Sequence, residues 1–259
     1  LPVADPLTFN PPVNGRGIPY ASVPFQVQDH GGPANGGIDT DPTPNTLTIN
    51  VTPVNKAPAG TDKNLTMQED QAYTFAAADF GFSDPNDAPA HLFQAVLITT
   101  LPAIGSLQFD GAAVTATQVV PVIDLGLLTY TPEVNGSGTP YASFTFQVQD
   151  DGGTSNGGTD TDPTPNTVTI SVTPVNDAPA GTDKSITLLE DNTYTFSATD
   201  FGFSDPDDSP ANQLNAVVLT TLPAIGVLQL NGAVVTATQV VPVADLGQLT
   251  FTPVANGNG

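Results

Sequence analysis

Short runs in which apolar and polar residues alternate dominate this chain. Segments 142–149 (ASFTFQVQ) and 166–174 (NTVTISVTP) alternate most regularly, with Phe144, Phe146 and Val148 on one face, then Val168, Ile170 and Val172. A period of two puts every second side chain on the same side of an extended backbone, and so predicts half-buried antiparallel strands. Further strands are predicted at 65–67, 72–77, 93–99, 105–109 and 127–132. Asp110-Gly111 and Asn231-Gly232 each stand between apolar runs and predict tight hairpin turns. No segment carries an apolar stripe at helical spacing with matching caps. About seven strands in about 120 residues, separated by turn residues, predict an immunoglobulin-like antiparallel β-sandwich.

The pattern repeats. TPVNKAPAGTD, from Thr52 to Asp62, returns as TPVNDAPAGTD from Thr173 to Asp183, a spacing of 121 residues. The same spacing relates Tyr20 to Tyr141 and Thr100 to Thr221, each at the head of a long matching stretch. A unit of that size is a domain, and fixed-period similarity describes a tandem array of such domains, end to end. With units opening after the TPV tripeptide, residues 55–175 form a complete repeat. Residues 1–54 are then the C-terminal part of a preceding repeat, and 176–259 the N-terminal part of a following one. Leu1 is neither an initiator Met nor the start of a signal segment, so the sequence is read as an excerpt of a longer array.

Composition narrows the function classes. Twenty-six acidic residues against four basic ones give a formal charge of −22, a poor match for nucleic acid or an anionic membrane. Apolar residues make up 39% and fall in an ordered pattern, which favours a folded array over disorder. Cysteine is absent, which excludes disulfides and thiolate metal sites. No apolar run reaches the roughly 18 residues of a membrane span. The partners suited to so many carboxylates are cations.

The acids gather at predicted turns. Glu69, Asp84 with Asp87, Asp150 with Asp151, and Asp160 with Asp162 lie in the complete repeat; Glu190 with Asp191, and Asp205, Asp207 and Asp208, lie in the last one. Two readings stand side by side. Asp is a good turn residue through its own side-chain hydrogen bonds. Clusters recurring in one order along a repeat also suit oxygen ligands of a cation.

That order is similar to cadherin-like tandem modules of large bacterial surface adhesins. The run FQVQDDGG…NTVTISVTPVNDAP resembles the end of such a repeat: an Asp-Gly turn, a final strand and an Asn-Asp linker before Ala-Pro. LLEDNTYTF and FSDPDD resemble its first-turn Glu and its paired Asp motif. The resemblance implies Ca2+ held between consecutive domains. For the linker at Asn176 it implies Glu69 from one domain, Asn176 and Asp177 in the linker, and Asp205, Asp207 and Asp208 from the next, with Glu133 a lesser candidate. For the linker at Asn55 it implies Asp84, Asp87, Asp150 and Asp151, with Lys56 in the place of the linker Asp. Lys56 either pairs with those acids, weakening or replacing one ion, or points into solvent.

An enzyme would need other groups. His30 and His91 do not recur at the repeat spacing, and no phosphate loop, His-Glu-x-x-His or nucleophile elbow is present. The expectation is therefore a non-enzymatic, extracellular structural repeat: a calcium-rigidified stalk or fibre at the cell surface, serving adhesion or filament and matrix assembly such as a biofilm. Its expected partners are neighbouring repeats of the same chain and, through head-to-tail association, other copies. The alternative is a carbohydrate- or protein-binding accessory module of a larger secreted enzyme.

Overall fold

The computed structural model describes residues 6–256. The protein is predominantly β. In its first part lie β1 (Gly17–Phe25), β2 (Asn45–Val51), β3 (Lys63–Gln68), β4 (Tyr73–Thr74), β5 (Phe93–Ile98) and β6 (Ser106–Phe109). There follow β7 (Ala112–Ala113), β8 (Val119–Pro121), β9 (Leu128–Thr131), β10 (Gly138–Asp150) and β11 (Asn166–Thr173). The last stretch holds β12 (Tyr194–Thr195), β13 (Ala216–Leu219), β14 (Val227–Leu230), β15 (Ala233–Val234), β16 (Gln239–Pro242) and β17 (Leu249–Thr252). Helical segments among the described residues are short 3₁₀ turns. The sheets are open: β1-β2, β3-β11-β10-β5-β8, β4-β9-β6-β7, β12-β17-β14-β15 and β13-β16.

The local rules work as the sequence suggests. In the β6–β7 hairpin Phe109 faces Ala112, and the two residues between them, Asp110 and Gly111, have φ of 50° and 75°. Both central residues of such a turn must adopt the left-handed region, which Asp tolerates and Gly occupies freely. Asn231 and Gly232 repeat the geometry between β14 and β15. The strands that the alternation missed, β7 and β8, span two and three residues, too few to show a period.

Two compact units divide the chain: Leu1–Leu65 with Tyr73–Tyr130 and Ala142–Thr169, and Thr66–Ala72 with Thr131–Tyr141 and Ile170–Gly259. The first unit is built round an aromatic cluster. Phe75 meets Phe144 edge-on at 5.6 Å, and Phe80 meets Phe146 at 4.9 Å. Phe144, Phe146 and Val148 of β10 are buried, as are Val96 and Ile98 of β5, because period-two alternation aims all of them inward. Lys63 is held 3.0 Å from buried Asp79. In the second unit Leu228, Val235, Val241, Leu246 and Leu249 form the core, with Phe196, Phe201 and Phe251 against it. The Lys63–Asp79 pair recurs here as Lys184 with Asp200.

Both units also leave apolar surface uncovered. In the β1–β2 hairpin, Val23, Phe25, Val27 and Leu47 are 41%, 43%, 59% and 54% exposed, whereas Phe144, Phe146, Val148 and Val168 at the same repeat positions are buried. In the second unit residues 184–189, which match β3 at the repeat spacing, form no strand. Among the described residues β13, matching β5, pairs only with β16. Beside β13 an open groove of about 650 Å³ is lined by Phe201, Phe203, Leu214 and Val217 together with Asp177 and Asp205.

This contrast makes a prediction. Phe146→Ala removes a buried ring and is expected to destabilise the first unit by about 3–5 kcal/mol. Phe25→Ala, at the matching but exposed position, should change stability by no more than about 0.5 kcal/mol. Urea denaturation of the two variants checks both figures.

Candidate metal sites

In the first unit, three segments deliver four side chains to one region. Asp84 and His91 bracket a tight loop that is closed by the His91 backbone N–H, which donates to Asp84 Oδ2 at 2.6 Å. Asp150, the last residue of β10, accepts at Oδ1 from the Gly152 N–H at 2.9 Å and from Asn55 Nδ2 at 2.8 Å. Asn55 Nδ2 also donates to the Gly153 and Thr159 carbonyls, at 3.1 and 2.9 Å. Those bonds fix the amide so that its oxygen turns the other way.

Four buried atoms are left with no hydrogen-bond partner there: Asn55 Oδ1, Asp84 Oδ1, His91 Nδ1 and Asp150 Oδ2. Asp84, His91 and Asp150 each offer a ligand atom, and the three lie within 4.8 Å of one another. Unpaired buried polar atoms are costly, and carboxylate and amide oxygens gathered round a ring nitrogen suit a cation. Burial pushes the Asp150 carboxyl up; the Gly152 and Asn55 hydrogen bonds and His91 oppose that shift, and repulsion from Asp84 adds to it.

The remaining predicted residues take other parts. Asp87 Oδ2 accepts the Lys56 backbone N–H at 2.7 Å and stands 3.7 Å from His91 Nδ1. The Lys56 side chain is exposed, and among the described residues its ammonium makes no ion pair within 4.0 Å. Of the two expectations for Lys56, the structure shows the solvent-facing one. Asp151 Oδ1 accepts the Leu92 N–H at 2.7 Å, and Asp162 accepts from Gly60, Thr164 and Asn166. Those two acids act as turn residues.

A second acidic cluster lies within the second unit. Buried Glu69 accepts the Val175 N–H through Oε1 at 2.6 Å, which ties it to the segment just before Asn176. The Asp177 N–H points at both oxygens of Asp208, 3.3 Å from each. Asp205 Oδ2 accepts the Asn212 N–H at 2.7 Å, while Asn212 Nδ2 donates to Asn176 Oδ1 and Asp208 Oδ2 at 2.8 and 2.9 Å. Asp177 Oδ2 and Asp205 Oδ1 are buried and unpartnered. Burial raises the Asp177 carboxyl, and repulsion from Asp70, Asp208, Glu69 and Asp207 raises it further.

The structure thus draws Glu69, Asp177, Asp207 and Asp208 into one electrostatic neighbourhood, with Asp205 and Asn176 joined to it through Asn212. It adds Asp70 and Asn135, whose N–H donates to Asp70 at 3.0 Å and whose side chain donates to Asp207 at 2.8 Å. Glu133 is exposed, and its turn contributes Asn135 instead. Among the described residues, three ligand atoms come within 4.8 Å only at Asp84, His91 and Asp150, so the second cluster is the looser one. His91 does not recur at the repeat spacing, so repetition does not mark it. The usable signal was positional: His91 stands where the next repeat has Asn212. Comparison of the sequence with protein-family models and with curated proteins finds no match to either.

The raised Asp177 carboxyl sets the sign of a pH effect. Its pKa lies above the ordinary 3.8, so the folded state takes up the proton more readily than the unfolded chain. In metal-free buffer, stability should fall as pH rises from about 4 through that raised value and level off above it. Asp177→Asn should flatten this slope and stabilise the chain at neutral pH. Denaturation midpoints of the two proteins between pH 4 and 7 check it.

Proposed function

We propose that this chain is the structural repeat region of a large extracellular surface protein, built of tandem immunoglobulin-like, cadherin-like β-sandwich domains and without enzymatic activity. The reading divides it into a partial repeat at 1–54, a complete one at 55–175 and a partial one at 176–259. Ca2+ is its structural cofactor. What carries the reading is the second acidic cluster: Asp70, Asp208, Glu69 and Asp207 all repel Asp177, and among the described residues no basic side chain forms an ion pair with any of the five. Their oxygens, with Asp205 and Asn176, form the hard, all-oxygen set that calcium takes up at six to eight ligands and about 2.3–2.6 Å. A cation there removes the repulsion and stabilises the native linker by mass action. The linker then stiffens, and an array of such linkers makes a stalk.

The uncovered surfaces support a further part of this reading, head-to-tail association of copies. At the repeat spacing, the β1–β2 hairpin is a duplicate of β10 and β11. Asp41 repeats the bonds of Asp162, accepting from Thr43 and Asn45 as Asp162 does from Thr164 and Asn166. The groove beside β13, lined by Phe201, corresponds to the place beside β5 that β10 fills in the complete repeat, where Phe144 and Phe146 meet Phe75 and Phe80. Strand addition by another copy would cover both apolar surfaces, and a heterologous contact of this kind propagates.

Two measurements test the proposal. Small-angle scattering in calcium should show a stiffer, longer particle than in excess chelator, with metal found by elemental analysis. Identical scattering in both buffers and no bound metal would sink the calcium reading. Sedimentation should show oligomers that Phe25→Asp converts to monomers with the first unit still folded; undiminished assembly of that variant rules out the hairpin as donor.

A further inference from the structure

We infer that Asn55, Asp84, His91 and Asp150 form a binding site for a divalent transition ion of the zinc class, distinct in chemistry from the all-oxygen cluster. The inference stands on its own residues and does not rest on the calcium reading. Asp84 and Asp150 are more than nine-tenths buried, and each keeps one oxygen without a partner. Asn55 is equally buried, with its Oδ1 unpartnered and its Nδ2 fully engaged by Asp150, Gly153 and Thr159. The fourth lone pair belongs to an imidazole nitrogen, His91 Nδ1, which is buried and 3.7 Å from Asp84 Oδ2 and from Asp87 Oδ2.

Ligand chemistry separates the candidate ions. Calcium is a hard ion that takes oxygen ligands and many of them, whereas imidazole suits zinc, copper, nickel and iron. Four donors, made up of one nitrogen, two carboxylates and an amide oxygen, match the tetrahedral number of zinc, whose bonds run about 2.0–2.2 Å. Three of the four donors, on Asp84, His91 and Asp150, already lie within 4.8 Å of one another. The supporting layer is already in place. Asp84 Oδ2 is held by the His91 N–H, and Asp150 Oδ1 by Gly152 and Asn55, which leaves one defined oxygen of each facing inward.

The neighbouring repeat supplies an internal control. At the position of His91 it has Asn212, whose amide donates to Asn176 Oδ1, the counterpart of the orphaned Asn55 Oδ1. The amide donor satisfies that oxygen; an imidazole nitrogen presenting its lone pair does not. Gly152 completes the picture, because a Cβ there would lie 2.3 Å from Asn55 Oδ1 and 2.5 Å from His91 Nδ1. A side chain at that residue would fill the space the ion needs.

The test is titration of the metal-stripped full chain with Zn2+, and with Co2+ as a spectroscopic substitute. One tight equivalent is expected, with the visible bands of low-coordinate cobalt, and a tenfold excess of Ca2+ should leave it bound. His91→Asn and Gly152→Ala should each weaken it by about 100-fold or more, the upper end of what even a supporting residue costs. His30→Asn should leave it unchanged. Because a variant at the site can misfold, the wild-type chain carries a second readout: the His91 ring nitrogens by NMR, where Zn2+ should move Nδ1 and leave Nε2 protonated. Undiminished affinity in folded His91→Asn, displacement by equimolar Ca2+, or an unmoved Nδ1 at saturating Zn2+ overturns the inference.

Discussion

Carboxylates that must lie close together, in a chain with four basic residues to answer 26 acidic ones, set the terms for this protein. Two of the four lysine and arginine side chains are spent inside the units, on Asp79 and Asp200. In the second case the Lys184 ammonium holds the Asp200 carboxyl well below the usual carboxylate range, while Asp200 in turn raises Lys184. The clusters at Asp150 and Asp177 receive no such partner, and both carboxyls shift upward, burial being the main cause. Acids held apart from counter-charge are unfavourable in the bare chain, and on the reading proposed here a cation from solution relieves that cost.

Asp serves two purposes here, and hydrogen-bond bookkeeping separates them. Asp41, Asp162 and Asp79 have their oxygens occupied by nearby donors: turn N–H groups, an Asn amide, a tyrosine hydroxyl or a lysine. Donors of this kind favour the ionised form, and Asp41 is lowered chiefly by the Thr43 N–H. Asp84, Asp150 and Asp205 are bonded on one oxygen only and keep the other buried and empty-handed, and Asp177 Oδ2 is likewise buried without a partner. The first group explains the turn-residue reading of an acidic sequence, and the second group goes beyond it. In the first unit the empty oxygens share their space with an imidazole nitrogen; in the second they face more carboxylates. The two sites are therefore expected to take different ions.

Much of the fold was legible because alternation is a local signal with a direct physical cause. Phe144, Phe146 and Val148 are buried as the period predicts, and Asp110-Gly111 turns where its left-handed conformers allow. Strands of two or three residues, such as β7 and β8, carry no period and were not visible. Exposure of Val23, Phe25 and Leu47 was equally hidden, since a sequence copy of a buried strand looks buried until its partners are located. Within the sites, repetition marked the acids but obscured the exceptions. His91 and Asp70 matter through contacts made across the fold, with Asn55 and Asp150 in one case and Asn135 in the other. No spacing in the sequence encodes those meetings.

The central claim is that the unanswered carboxylate oxygens are cation ligands, and the stability of the metal-stripped chain at neutral pH, titrated with calcium at fixed ionic strength, tests it most directly. A ligand of the native state stabilises by about 2.7 kcal/mol at a hundredfold excess over its dissociation constant. The account predicts a rise in unfolding free energy that continues with the logarithm of calcium concentration and that an equal ionic strength of sodium chloride does not reproduce. Stability that responds to calcium and to sodium chloride alike would mean that simple screening of a highly acidic surface is all the cation does, and would contradict the account.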